Sequence, residues 1–204
     1  MVCRYCTNDA VYRCSVCGSN LCGVHARIRT SCSSCIEIPP RKKYIIGKAT
    51  HKDQKTIKSF VKRFWGEEEQ LTFDRIFSLT ELPAYVAKQN GVVAGFVSYS
   101  EIDDSVLIVA LGVLPQHQGS GVGSKLVGKV EAEAKRKKKS KLLVSTSNDD
   151  LPALGFYQHL GFQLYEVKPD VVAKKHGAVL KGIDGLPIRD ELRLRKILAL
   201  PPRA

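Results

Sequence analysis

Two stretches of this 204-residue chain carry residue types at spacings that could do chemistry. In the first, Gln118-Gly-Ser-Gly-Val-Gly123 stands between an apolar run, Ser105 to Leu114, and a helix expected from Gly123 to Lys138. Three glycines in five residues let a backbone approach a ligand closely and aim successive N–H groups into one concavity. A helix N-terminus adds partial positive charge and unpaired donors, so such a stretch suits a pyrophosphate. A tight turn would also explain the glycines. The loop has no Gly-Lys-Ser/Thr ending of a P-loop, and its spacing is not the G-x-G-x-x-G of dinucleotide sites.

The second stretch is metal chemistry. All seven cysteines fall between residues 3 and 35, as Cys3-x2-Cys6, Cys14-x2-Cys17, Cys22-x2-His25 and Cys32-x2-Cys35. Thiolate and imidazole are the ligands zinc prefers, and structural zinc takes four, so eight ligands imply two Zn2+ ions. Disulfides fit less well, because seven is odd and a histidine fills the eighth position. Interleaved pairing is expected, with Cys3, Cys6, Cys22 and His25 on one ion and Cys14, Cys17, Cys32 and Cys35 on the other. Sequential pairing is the alternative. So short a segment, with few large apolar side chains, would draw most of its folding energy from metal.

These sites must be held by elements, and the pattern places them in two domains: a zinc module over 1–38, a proline-stiffened linker over 39–43, and a larger domain over 44–204. In the latter, Tyr44 to Ala49 reads as a strand, and His51 to Phe64 as an amphipathic helix through Ile57, Phe60, Val61 and Phe64. The acidic triplet Glu67, Glu68 and Glu69 reads as a charge cluster at a helix N-terminus. Asn90-Gly91 predicts a hairpin between strands at Pro83–Lys88 and Val92–Glu101. Asp103-Asp104 predicts the next turn, leading into the apolar strand before the loop. Lys141 to Thr146, Gly161 to Val167 and a half-exposed Ile188 to Ile197 read as further strands, and Leu151 to Leu160 as a helix.

The net charge of +12 divides as +2 over residues 1–40 and +10 over the rest, so the basic balance belongs to the larger domain. Much of it lies in Lys135 to Lys141, at a helix end where cations are favoured by the dipole. Nucleic-acid binding is therefore not the favoured reading, since the near-neutral cysteine segment is unlike a DNA reader. No apolar run is long enough for a membrane span and no signal-peptide pattern is present, so a cytoplasmic location is expected.

Gln118, Gly121 and Gly123 after a strand ending in Val-x-Pro form a Q/R-x-x-G-x-G/A pattern, and Asn148 with Gly155-Phe-Tyr-Gln-His-Leu-Gly-Phe162 follows. The two together resemble the motifs of the GCN5-related N-acetyltransferases over roughly residues 44–204. The cysteine module resembles cross-braced fingers of the B-box, AN1 and HIT type, although its last Cys-x2-Cys pair departs from the first two.

The resemblance implies an α/β fold with a mixed, splayed sheet flanked by helices. It implies acetyl-coenzyme A held by Leu111, Gly112 and Val113 along the pantetheine arm, and by Gln118, Gly119, Ser120, Gly121, Val122, Gly123 and Ser124 at the pyrophosphate. Asn148 is implied to touch the arm, and Tyr157 to act as the acid. Glu101 is taken as the base, with Asp103, Glu68 or a water chain as alternatives. The acidic triplet Glu67 to Glu69 is implied to border the acceptor site, where it would meet a cationic amine. The implied reaction is direct attack of an amine, expected to belong to a protein, with the zinc module docking a protein partner. A non-catalytic coenzyme A sensor and a small-molecule amine acetyltransferase are the alternatives.

Overall fold

The computed structural model describes residues 43–198, together with two short strands nearer the N-terminus. The chain divides into two compact units, Met1–Arg41 and Lys42–Ala204. In the first, β1 (Tyr12–Arg13) pairs antiparallel with β2 (Asn20–Leu21). The eight expected zinc ligands, from Cys3 to Cys35, lie outside the described residues.

The second unit begins with β3 (Ile45–Lys48), a 3-10 turn at His51–Asp53 and α1 (Gln54–Trp65). Ile57, Phe60 and Val61 share the buried face of α1, as their three- and four-residue spacing requires. Gly66 ends the helix at φ 77, a left-handed conformation that glycine adopts at little cost. There follow β4 (Glu69–Thr72), β5 (Arg75–Ser78), β6 (Ala84–Gln89), β7 (Val92–Ile102) and β8 (Ser105–Val113). The hairpin between β6 and β7 turns through Asn90 at φ 51 and Gly91 at φ 81. Positive φ at both central residues gives the twist that matches the strands. After the loop come α2 (Val122–Arg136), β9 (Lys141–Ser147), α3 (Leu151–His159), β10 (Gln163–Lys168), α4 (Val171–His176), β11 (Leu180–Lys181), β12 (Pro187–Ile188) and β13 (Glu191–Ile197).

Seven strands form one sheet in the order β10-β13-β9-β8-β7-β6-β3. Every neighbour pair is antiparallel except β8 with β9. One face packs on α2 through Leu126, Val127, Val130 and Ala134, and another apolar cluster gathers Ile57, Phe60 and Val61 of α1 with Val86, Phe96 and Leu107. The mixed α/β sheet flanked by helices is therefore present as expected.

Its parallel seam is short. Ser105 to Ile108 pair with Lys141 to Val144, and beyond that β8 and β9 part, leaving five residues of β8 without a partner on that side.

Three features depart from the sequence reading. Glu67 to Glu69 do not open a helix: they lead into a β4–β5 hairpin turned by Phe73 at φ 50 and Asp74 at φ 58. The final strand lies inside the sheet, between β9 and β10: it buries Glu191, Arg193 and Leu194 and leaves Arg195 and Ile197 exposed. Alternating charge suggested a solvated face, but ion pairing to the β4–β5 hairpin lets those charges be buried. The segment after β10 adds α4 and a β11–β12 hairpin, for which no expectation was made.

Candidate active site

Where β8 and β9 part, a cavity of about 380 Å3 opens. Ile108 to Leu111 line one side and Val144 to Ser147 the other, with Ala153 and Tyr157 of α3 beside them. Phe64 and Trp65 at the end of α1, Thr72 of β4, and Val171, Val172 and Lys175 of α4 complete the remaining wall.

The strand edge in this cleft presents backbone. Leu114 N–H donates to Ala94 C=O at 2.9 Å, and the register pairs Gly112 with Phe96 and Leu111 with Val97. Antiparallel ladders alternate direction, so Gly112 bonds towards β7 while the amides of Leu111 and Val113 face the split. Val113 C=O there accepts from Gln118 Nε2 at 3.1 Å. Gly112 is fixed by packing, since a Cβ would meet the Phe64 ring at 2.9 Å and that of Phe96 at 3.3 Å.

The edge runs into the glycine loop. Gly119 and Gly121 adopt φ 76 and φ 79, and a Cβ at either would meet no atom within 4 Å, so their glycine requirement is conformational. Gly123 differs: a Cβ would lie 3.1 Å from the Phe156 ring. Gly121 caps α2 without a side-chain hydrogen bond, leaving the first-turn donors at Val122, Gly123 and Ser124 without a cap from that residue. Behind the loop, Ser120 Oγ donates to His117 C=O and to Tyr44 Oη, and Tyr44 Oη meets His117 Nδ1 at 2.9 Å. The loop is thereby braced on β3's flank.

Tyr157 lies in the cleft wall, 6% exposed, with its ring against Phe156 and Phe162. Burial first, and the charge of Asp150 second, push its hydroxyl well above the ordinary tyrosine range. Asp150 also lines the cleft, capping α3 by accepting Ala153 N–H at 2.9 Å, and burial raises its own carboxyl.

Two expected residues sit elsewhere. Asn148 does not line the cleft: its Oδ1 accepts from Arg189 N–H and Asp190 N–H at 2.9 Å each, and its Nδ2 donates to Pro187 C=O at 2.8 Å. It pins the chain entering β13. Glu101 stands opposite Val106, at the far end of the β7–β8 pair from the loop, and is ion-paired to Lys137 and Lys139. Those hydrogen bonds hold its carboxyl below the usual range, which suits a surface anion and not a base in the split. Of the other candidates, Glu68 pairs with Lys58 at 2.8 Å and is half-exposed; separately, His159 on α3 is exposed. His176 does line the cleft.

On the wall formed by β4, α4 and β13 the sequence marked only Glu67, through its acidic triplet, and the remaining partners were not legible. Glu191 lines it while both carboxylate oxygens are engaged. Oε1 accepts from Thr72 Oγ1 at 2.8 Å and Phe73 N–H at 3.0 Å, and Oε2 from Arg193 Nε at 2.9 Å. Thr72 Oγ1 also meets Ser145 Oγ at 2.6 Å. Nearby, Glu67 forms an ion pair with Lys175 across the cleft. Glu67 and Lys175 stand 108 residues apart, Thr72 and Glu191 119, and Thr72 and Ser145 73, so no local spacing signals these contacts.

A sheet split beside a glycine loop, with a strand edge leading to a glycine-capped helix N-terminus, suits a long, anionic group-transfer cosubstrate. Residues 50–162, more than half the chain, match the acetyltransferase (GNAT) family, and the chain belongs to that family of acetyltransferases. Among solved structures it is similar to an IAA acetyltransferase from Bacillus cereus, at 27% identity and TM-score 0.65 over 76% of this chain and 100% of that one. A Bacillus subtilis acetyltransferase in complex with CoA shares the fold at 20% identity and TM-score 0.58, over 77% of this chain and 99% of that one. An L-amino acid N-acyltransferase of Escherichia coli is 29% identical over 107 residues, 48% of this chain and 59% of that protein.

Proposed function

We propose that this chain is an acetyl-coenzyme A dependent N-acetyltransferase acting on an amine. The observation that carries the reading is the split between β8 and β9, whose unpaired Leu111 and Val113 amides lead directly to the Gly119–Gly121 turn and the start of α2. The residues present fit the cosubstrate. A pantetheine arm needs an extended strand edge, and a pyrophosphate needs converging N–H donors without side chains in the way. Leu111, Gly112 and Val113 would hold the arm, and Gln118 to Ser124 the phosphates, with exposed Lys125 on the first turn of α2 adding positive charge. Bound acetyl-coenzyme A supplies an acetyl thioester, whose carbonyl carbon takes the amine nitrogen as its C–S bond breaks.

The chain's own residues orient and move protons. A backbone amide of the β8 edge polarises the carbonyl oxygen. Tyr157, kept protonated by burial, donates to the departing sulfur. Glu101 takes no part, since its place is at the other end of the sheet. The name of the Escherichia coli relative points towards amino acids as acceptors, whereas a protein acceptor rests on the cysteine spacing alone. That spacing supports two zinc ions and a docking role for residues 1–38.

Calorimetric titration with acetyl-coenzyme A tests the reading. Wild type should bind, and Gly121→Glu and Ser124→Glu should not. The second variant introduces a carboxylate without backbone strain, in a first turn where acidic residues favour the helix. Equal binding by Ser124→Glu and wild type would refute the phosphate assignment.

A further inference from the structure

The acceptor side of the cleft contains an ion pair that the transfer chemistry leaves unused. Glu67, in the segment leaving α1, and Lys175, on α4, both line the cavity and pair with one another. Their side chains are 40% and 21% exposed. Lys175 is the only lysine or arginine among the described residues lining the cleft. The other cleft carboxylates are committed, Glu191 to Thr72, Phe73 and Arg193, and Asp150 to the cap of α3. Among the described residues, Glu67 and Lys175 have only each other.

Around them the cleft is lined by apolar Phe64, Trp65, Val171 and Val172 and by polar Gln70, Thr146 and His176. In this partly exposed setting an ion that loses its partner regains most from another opposite charge. A ligand entering here therefore meets one cation and one anion within contact distance of each other. Its complement carries a carboxylate and an amine on neighbouring atoms. A protein N-terminus or lysine brings the amine alone and would leave Lys175 uncompensated. A polyamine would add cations beside it.

We propose that the acceptor is a free α-amino acid, with its carboxylate on Lys175 and its amino group on the Glu67 side, directed at the split. The inference rests on the acetyl-transfer reading above. The ammonium first loses one proton to solvent through Glu67. The neutral nitrogen then bonds to the acetyl carbonyl carbon, the C–S bond breaks, and the sulfur takes the Tyr157 proton. The second proton of the nitrogen returns the phenol to its protonated state. One N-acetyl amino acid, one thiol and one proton result.

The test follows free-thiol release by the full chain with saturating acetyl-coenzyme A. Acceptors are L-amino acids, the matching amino acid amides, spermidine, and peptides with the same first residue. The acids should exceed their amides at least tenfold in kcat/KM, since a charged hydrogen bond in a screened site is worth roughly ten- to a hundredfold. Lys175→Met should raise KM for the acid and collapse the acid-to-amide ratio to within about twofold. The charge swap Glu67→Lys with Lys175→Glu rebuilds the pair but moves the cation to the other wall. It should restore thermal stability without restoring that ratio. Equal turnover of acid and amide, preference for peptide or spermidine, or recovery of the ratio in the swap would overturn the proposal. If acetyl-coenzyme A binds in the prior titration, such results sink the acceptor class and leave acetyl transfer standing. If it does not bind, both fall together.

Discussion

Replacing Arg193 with Met isolates the buried charge network that seals the acceptor side. The Arg193 guanidinium contacts Glu191 at 2.9 Å, Asp74 at 3.0 Å and Glu166 at 3.3 Å, and lies 4.7 Å from the centre of the Phe73 ring. Its side chain is 6% exposed and that of Glu191 is 5%. Removing one member of a buried pair costs about 3–5 kcal/mol, because the remaining charge loses both water and partner. For a unit of this size each kcal/mol moves the midpoint by about 2–4 °C, so Arg193→Met should lower Tm by about 6–20 °C. Trp65, the single tryptophan of the chain, lines the cleft and gives the fluorescence readout. Adding Glu191→Gln removes the stranded charge while its side-chain carbonyl still accepts from Thr72 Oγ1 and Phe73 N–H. The double variant should therefore regain about 2 kcal/mol or more over the single one. A loss below about 1 kcal/mol in Arg193→Met, or a double variant no more stable than the single, would refute this account of why β13 buries its charges.

Tyr157→Phe should lower kcat by about a hundredfold while leaving the Kd for acetyl-coenzyme A nearly unchanged, read by thiol release and calorimetry; equal losses in both would make the residue a packing element. Because burial and then Asp150 raise its hydroxyl, ionisation of Tyr157 should cause no decline in rate up to about pH 10. Hydrogen bonds from Arg136 bring the Glu133 carboxyl down to about 2. A depressed carboxyl contributes stability that is present above its unfolded value of about 4.3 and lost as pH falls through the folded one. Glu133→Gln should therefore flatten the acid limb of stability between about pH 4.3 and 2, measured by urea unfolding at each pH. Zinc analysis of purified protein should give two ions per chain, fewer after Cys14→Ser; an unchanged content would reject the ligand assignment.

Much of the site was legible because its signals are local. Three glycines after an apolar strand, the Asn90-Gly91 turn and the apolar stripe of α1 each follow from the conformational range or spacing of neighbouring residues. So the strand, loop and helix, and the family they belong to, could be read along the chain. Tyr157, proposed as the acid, was named from a motif of eight residues, and it lines the cleft. Asn148 and Glu101 show where that kind of reading fails. Both are polar residues at strand ends, and only the fold tells that one pins the entry to β13 while the other pairs with Lys137 and Lys139 away from the cleft.

Tertiary structure decided most of the wall formed by β4, β13 and α4, beyond what the acidic triplet Glu67 to Glu69 suggested. Placing β13 between β9 and β10 turns a strand of alternating charge into a buried one, because Thr72, Phe73 and Asp74 arrive from a hairpin 119 residues earlier to satisfy Glu191 and Arg193. The same long-range folding brings Glu67 to Lys175. A charge carries no mark in sequence of whether it will face water or a partner. The sequence by itself determined the glycine turn and the helix start, through the conformations glycine allows; the packing of distant elements determined which charges line the cleft.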